Sequence, residues 1–169
     1  MLYSLVFYPP PRIEGYAQVA DFVAAQAPKN GVILFSGYRD GNFVFALRTH
    51  EERRDLSMIR ADKLLLRVAV ERVRGVGEAK LDQKEIAQAL HDYGVDLVVA
   101  QPDFWTDLRE MARLYAVLHT PDFVRVARFP ITGTTAHTDH EIEIYRPTYK
   151  VEPPRAAPRH ADHRPELQG

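Results

Sequence analysis

Apolar and polar positions alternate along this chain with two distinct periods, and the periods mark out its elements. Tyr16, Val19, Ala20, Val23 and Ala27 recur at helical spacing and predict an amphipathic helix closed by Pro28 and the Asn30-Gly31 turn. Val32–Phe35 is apolar on both faces, as a strand of a parallel sheet covered by helices tends to be. Asp40-Gly41 reads as a turn, and Asn42–Leu47 suits either a strand or a helical turn. The charged Arg53–Asp55 leads into a second short strand, Leu56–Ile59. Asp62 is placed to cap a helix over Lys63–Arg72, although the run LLLRVAV is also acceptable strand material. Arg74–Lys80, with Gly75 and Gly77, reads as a loop.

The second half is better punctuated. Asp82 and Glu85 form a capping-box start. Ile86, Ala89, Leu90 and Tyr93 make one face, and Gly94 supplies the stop before the strand Val95–Ala100. A further helix is expected from Thr106, with Leu108, Met111, Ala112, Tyr115 and Leu118 on its inner face and Thr120-Pro121 at its end. Val124–Phe129 and Glu141–Tyr145 alternate as strands of a long hairpin at one edge of the sheet. The predicted architecture is α/β, a three-layer sandwich with a short, mostly parallel sheet and a C-terminal antiparallel hairpin. Residues 12–147 form its single domain. Residues 1–11 are expected to be a lead-in or the end of a membrane helix, and 148–169 a Pro-rich, disordered tail.

Composition narrows the function classes. The 169 residues suffice for one real core, and the 46% hydrophobic and 27% charged shares are those of a globular domain. A net charge of −1 gives no basic field to recruit nucleic acid. The absence of cysteine excludes disulfides, thiolate catalysis and cysteine metal sites, and leaves the compartment open. The opening MLYSLVFYPPP is far short of the roughly 20 apolar residues that span a bilayer. It also lacks the marks of a signal peptide. Leu2–Tyr8 is either a strand-like lead-in or the outer end of a membrane helix, and Pro9–Pro11 would end either one.

The candidate chemistry lies where strands hand over to polar groups. Tyr38, Arg39, Asp40, Asn42 and Arg48 follow Val32–Phe35, while Arg60, Asp62, Lys63 and Arg67 follow Leu56–Ile59. If both strands are parallel, both sets share the edge at which open α/β sheets build their sites. These arginines and aspartates either brace one another or recognise an anionic or hydroxyl-rich ligand. Asp103, Trp105 and Asp107 follow Val95–Ala100. They read either as a helix N-terminus or as an aromatic platform beside carboxylates that suits a sugar.

Other motifs are incomplete. Gly75-Val-Gly77 lacks the third glycine of a dinucleotide loop, and no G-x-S-x-G elbow occurs. His137, Asp139, His140 and Glu141, with His160 and His163 in the tail, read as solvated loop residues and not as a metal site. No catalytic residue and no cofactor is assigned.

One wider pattern joins these segments. GYAQVADFVAAQAP, a short apolar strand, SGYRDGNFVFALR, RRDLSMIRADKLL and YGVDLVVAQPDFWTDL follow in that order. Over Tyr8–Arg146 the pattern resembles the soluble region that follows the membrane helices of bacterial glycosyltransferases. These are the relatives of dolichyl-phosphate-mannose–protein mannosyltransferases and of lipid A aminoarabinose transferases. The resemblance implies a polyprenyl-phosphate-linked sugar donor and transfer at the outer face of the inner membrane. It places the catalytic carboxylates, often with a divalent metal, in the membrane-embedded part, so none is carried over here. Leu2–Tyr8 would then be the end of the last membrane helix and the missing membrane-embedded part the partner.

The leading expectation is a non-catalytic accessory domain that covers the active site or contacts acceptor or donor. The alternative is a free-standing, cytoplasmic α/β protein that binds a small anionic ligand, a sugar or a nucleotide sugar. A third class is an interaction module docking through Leu2–Tyr8 and the tail.

Overall fold

In the computed structural model, which describes residues 12–71, 74–78, 81–134 and 140–149, the first strand is β1 (Ile13–Glu14) and the first helix α1 (Tyr16–Gln26). Tyr16, Val19, Ala20 and Val23 are buried in the stripe that their spacing predicts. Asn30 adopts φ 59° in the turn before β2 (Val32–Ser36). Asp40-Gly41 is not a free turn, because it opens the helix α2 (Asp40–Arg48). Asn42–Leu47 is therefore helical, with Phe43 and Leu47 buried four residues apart. Phe43 stacks on Phe35 with ring centroids 5.1 Å apart.

A 3₁₀ turn at Glu51–Arg53 leads to β3 (Ser57–Arg60). Arg53 reaches back to the carbonyls of Ala24, Ala27 and Pro28, so it closes the C-terminal end of α1.

The helix expected over Lys63–Arg72 is cut to α3 (Ala61–Leu65), and LLLRVAV passes into β4 (Leu66–Glu71). Arg74–Lys80 is likewise not a loop throughout, since β5 (Arg74–Glu78) pairs antiparallel with β4, Leu66 against Glu78 and Val68 against Val76. Valines favour extended backbone, and the partner strand satisfies the ladder that an isolated run would lack. Asp62 does not cap α3: it is the second residue of that helix, the N-cap position is Arg60, and no side chain caps it.

Then come α4 (Gln83–Asp92), β6 (Val95–Ala100), α5 (Arg109–Leu118), β7 (Phe123–Pro130), β8 (Thr132–Gly133) and β9 (Glu141–Pro147). Asp82 and Glu85 form the capping box in both directions, and Gly94 adopts φ 64° at the far end of α4. The last helix starts at Arg109 and not at Thr106, because Leu108 N–H first closes a turn on the Trp105 carbonyl. Its buried stripe is Met111, Leu114, Val117 and Leu118 with Glu110, whereas Ala112 faces solvent.

The main sheet runs β3-β2-β6-β9-β7. β3, β2 and β6 are parallel, and the hairpin β7–β9 adds antiparallel to β6. The helices α1 and α2 pack on one face with Ile33, Phe35, Leu97, Val99, Ile142 and Ile144. On the other face α3, α4 and α5 pack with Leu34, Val98, Ala100 and Tyr145. The fold is thus the expected three-layer α/β sandwich. A bulge at Asp96 shifts the β2–β6 register, and Asp96 Oδ2 accepts from Val32 N–H at 2.8 Å.

Thr148 and Tyr149, read as the start of the tail, belong to the fold: Thr148 N–H binds the Asp122 carbonyl and Tyr149 packs against the second core. The expectations for Leu2–Tyr8, Pro9–Pro11, His137, Asp139, His160 and His163 lie outside the described residues. No helix among the described residues is long and apolar enough to cross a membrane.

Candidate functional site

Because β2, β3 and β6 are parallel, Ser36, Arg60 and Ala100 all end on one edge. Phe35 pairs with Arg60, and Ser36 with Ala100. Two of the loops leaving that edge are tied by one buried side chain. Gln101 N–H donates to the Ser36 carbonyl at 2.7 Å, and Gln101 Oε1 accepts from Tyr38 N–H at 3.3 Å. Its Nε2 donates to Asp103 Oδ1 at 2.7 Å.

The tie sets three aromatic rings in a row. Tyr38, 42% exposed, meets Phe104 edge-on at 4.8 Å. Phe104 is buried and lies nearly parallel to Trp105, also at 4.8 Å. Trp105 holds φ +48°, a left-handed backbone that costs a bulky residue on the order of 1–3 kcal/mol. Gln101 escaped sequence reasoning because a glutamine at a strand end looks like ordinary loop polarity.

Beside this row, Arg60 and Asp62 of the second polar set close on Asp40 of the first. Arg60 donates Nε to Asp62 Oδ1 at 3.0 Å and Nη2 to Asp62 Oδ2 at 2.8 Å, while Nη1 meets Asp40 Oδ2 at 2.8 Å. The bonds to Asp62 hold the guanidinium pKa above its ordinary value. This cluster pins the start of α2 to the start of α3. Lys63 is exposed in the first turns of α3, and Arg39 is half-buried just before α2.

The remaining two candidates point elsewhere. Asn42 lines a groove of about 520 Å³ with Ile13, Gly15, Tyr16, Phe45 and Ala46. Arg48 is exposed in the last turn of α2, about 12 Å along the axis from Asp40 at 1.5 Å per residue. Asp103 lies six residues before α5, so complementing that helix's dipole does not account for it.

A buried cluster stands behind the edge. Glu143 pairs in register with Ala100, and its carboxylate accepts from Tyr115 Oη at 2.8 Å and Tyr145 Oη at 2.7 Å, and from Arg125. Burial by itself would raise the Glu143 pKa, but the bonds from Tyr145, Tyr115 and Arg125 outweigh it and hold the carboxyl below the ordinary range. Burial, reinforced by Glu143, pushes Tyr115 up to about 12 and raises Tyr145 as well. Sequence alternation hides this group: with Ile142 and Ile144 facing one core, Glu143 and Tyr145 look solvent-facing. They are buried because α5 packs over that face of β9 and brings Tyr115 onto Glu143.

Among the described residues no three His, Asp or Glu side chains are gathered to hold a metal. The edge presents the half-exposed Tyr38 ring and the exposed Asp103 carboxylate, with Trp105 partly buried against Phe104. No family model, curated protein or solved structure matches the chain.

Proposed function

We propose that this chain is an accessory domain of a membrane glycosyltransferase that uses a polyprenyl-phosphate-linked sugar, and that its strand-end edge contacts the sugar of donor or acceptor. The observation that carries the reading is the Tyr38–Phe104–Trp105 row beside Asp103. A pyranose ring has an apolar C–H face that suits an aromatic surface, and hydroxyls that donate to a carboxylate. The order of segments across Tyr8–Arg146 supports the attachment to such an enzyme. Catalysis belongs, on this reading, to the membrane-embedded part.

Two observations test it. An open reading frame directly upstream that encodes a series of apolar helices supports the reading, whereas a promoter and ribosome-binding site at Met1 contradict the attachment. In the joined enzyme, Trp105→Ala or Asp103→Ala should raise the KM for one sugar substrate and leave kcat within about threefold, the pattern of lost ground-state binding. Unchanged KM in both variants contradicts a sugar contact at this edge.

A further inference from the structure

We infer that Gln101 is the positioning residue of the strand-end edge, and that its side-chain amide sets which hydroxyl configuration the edge accepts. This rests on the carbohydrate reading above and deepens it.

Gln101 is the first residue after β6 and is 2% exposed. Burying a glutamine is costly unless both ends of its amide are bonded. Here the two ends are bonded to different loops. Oε1 accepts from Tyr38 N–H, in the loop that leaves β2, and Nε2 donates to Asp103 Oδ1, in the loop that leaves β6. Its main chain is held as well. Gln101 N–H donates to the Ser36 carbonyl at 2.7 Å, and its own carbonyl accepts from Phe104 N–H at 3.2 Å, which closes a turn over Pro102 and Asp103. Gly37 lets the first loop lie against this residue. A Cβ built there would stand 3.5 Å from Gln101 Cβ and 3.1 Å from the Phe35 ring. The turn then carries the chain into Trp105 at φ +48°, a conformation that persists where the surroundings over-determine it.

The amide fixes a carboxylate that it does not cover. Asp103 stays exposed while one of its oxygens is held at 2.7 Å. Held in one rotamer beside the Tyr38–Phe104–Trp105 row, that carboxylate meets a hydroxyl at one position of a sugar ring seated on the row. A carboxylate free to rotate would follow the hydroxyl of either epimer. Discrimination between epimers is thus assigned to Gln101, which acts from beneath the surface through Asp103.

The folded chain is titrated with the methyl glycosides of glucose, mannose and galactose. The last two each differ from the first in the configuration of one hydroxyl. Trp105, the chain's one tryptophan, gives the fluorescence signal. The parent chain is expected to prefer one glycoside by about fivefold or more, since a misplaced hydroxyl forfeits a charge-assisted hydrogen bond. Gln101→Met keeps the length of the side chain and removes both amide bonds. The preference should then fall to within about twofold, through weaker binding of the favoured glycoside. Gln101→Glu separates positioning from packing. Its carboxylate faces that of Asp103, so near neutral pH the preference should be lost. Once protonated, the new carboxyl donates to Asp103 and accepts from Tyr38 N–H, as the amide does. The preference should therefore return between about pH 7 and about pH 5, with the parent chain measured at each pH as the reference. A loss of packing would not recover in acid.

Circular dichroism checks that each variant is folded, and the Gln101→Glu profile decides by itself if Gln101→Met is not. Equal binding of the three glycosides by the parent chain, a preference that persists in folded Gln101→Met, or a Gln101→Glu preference that does not change with pH overturns the inference and leaves the carbohydrate reading standing. Failure of every glycoside to bind overturns both.

Discussion

Arg60 and Asp62 form a fork-to-fork pair in which one partner is far more exposed than the other. The Arg60 side chain is 39% exposed and the Asp62 side chain 6%. Their energetic roles are therefore unequal. Asp62→Ala leaves Arg60 with Asp40 and with water, and should cost about 1–2 kcal/mol after screening. Arg60→Ala strands a buried carboxylate and should cost more, about 2–3 kcal/mol. Urea denaturation of the two variants measures the difference, and equal losses would contradict the unequal roles.

A second pair of variants addresses Glu143. Its folded pKa lies below the ordinary glutamate value of 4.5, so its stabilisation is complete above about pH 4.5 and is lost as pH falls through the folded value. Tyr115 has the opposite shift. The stability it contributes is complete below about pH 10 and declines as pH rises toward about 12. Glu143→Ala should cost about 3 kcal/mol, because two tyrosine hydroxyls lose their acceptor. Glu143→Gln should flatten the acid side of the stability profile, as followed by thermal melts from pH 3 to 7. An unchanged acid limb would assign that limb to other carboxylates.

Two glycines should respond to alanine with opposite signs. Gly15 has φ +113°, and a Cβ there would lie 2.6 Å from the Pro130 carbonyl oxygen and 2.7 Å from Ile131 Cδ1. Gly15→Ala should destabilise by about 2 kcal/mol or more. Gly41 sits in the first turn of α2 with nothing within 4 Å of a built Cβ, so Gly41→Ala should stabilise by about 0.5–1 kcal/mol. Melting temperatures of the two variants, moving apart from the parent protein, check this directly.

The parts of the fold that the sequence made legible are those whose signals are local. The Asp82–Glu85 box, the Gly94 stop and the apolar runs of β2 and β6 carry their own punctuation, and their boundaries hold to within a residue. The parts that were not legible depend on neighbours far along the chain. Gly75 and Gly77 look like loop until β4 pairs with them, and LLLRVAV chooses strand for the same reason. Strand order was invisible, and with it the burial of Glu143, because the face of β9 that carries Glu143 is covered only when α5 packs on it.

The site divides along the same line. The common edge for Tyr38, Asp40, Arg60, Asp62, Asp103 and Trp105 follows from parallel strands, which their apolar character announced. That Arg60 is engaged by two carboxylates, that Asn42 turns to a groove and that Arg48 rides to the far end of α2 are consequences of helix geometry. The expectation of a turn at Asp40-Gly41 concealed that geometry.

The central claim, a sugar-binding edge at the ends of β2 and β6, is tested most directly by amide and indole chemical-shift mapping during titration with a panel of methyl hexosides. The account predicts shifts concentrated at the Trp105 indole N–H and at the amides of Gly37–Asp40 and Gln101–Asp107, lost in Asp103→Ala. Shifts centred instead on the groove beside Phe45, or none at Trp105, would contradict it.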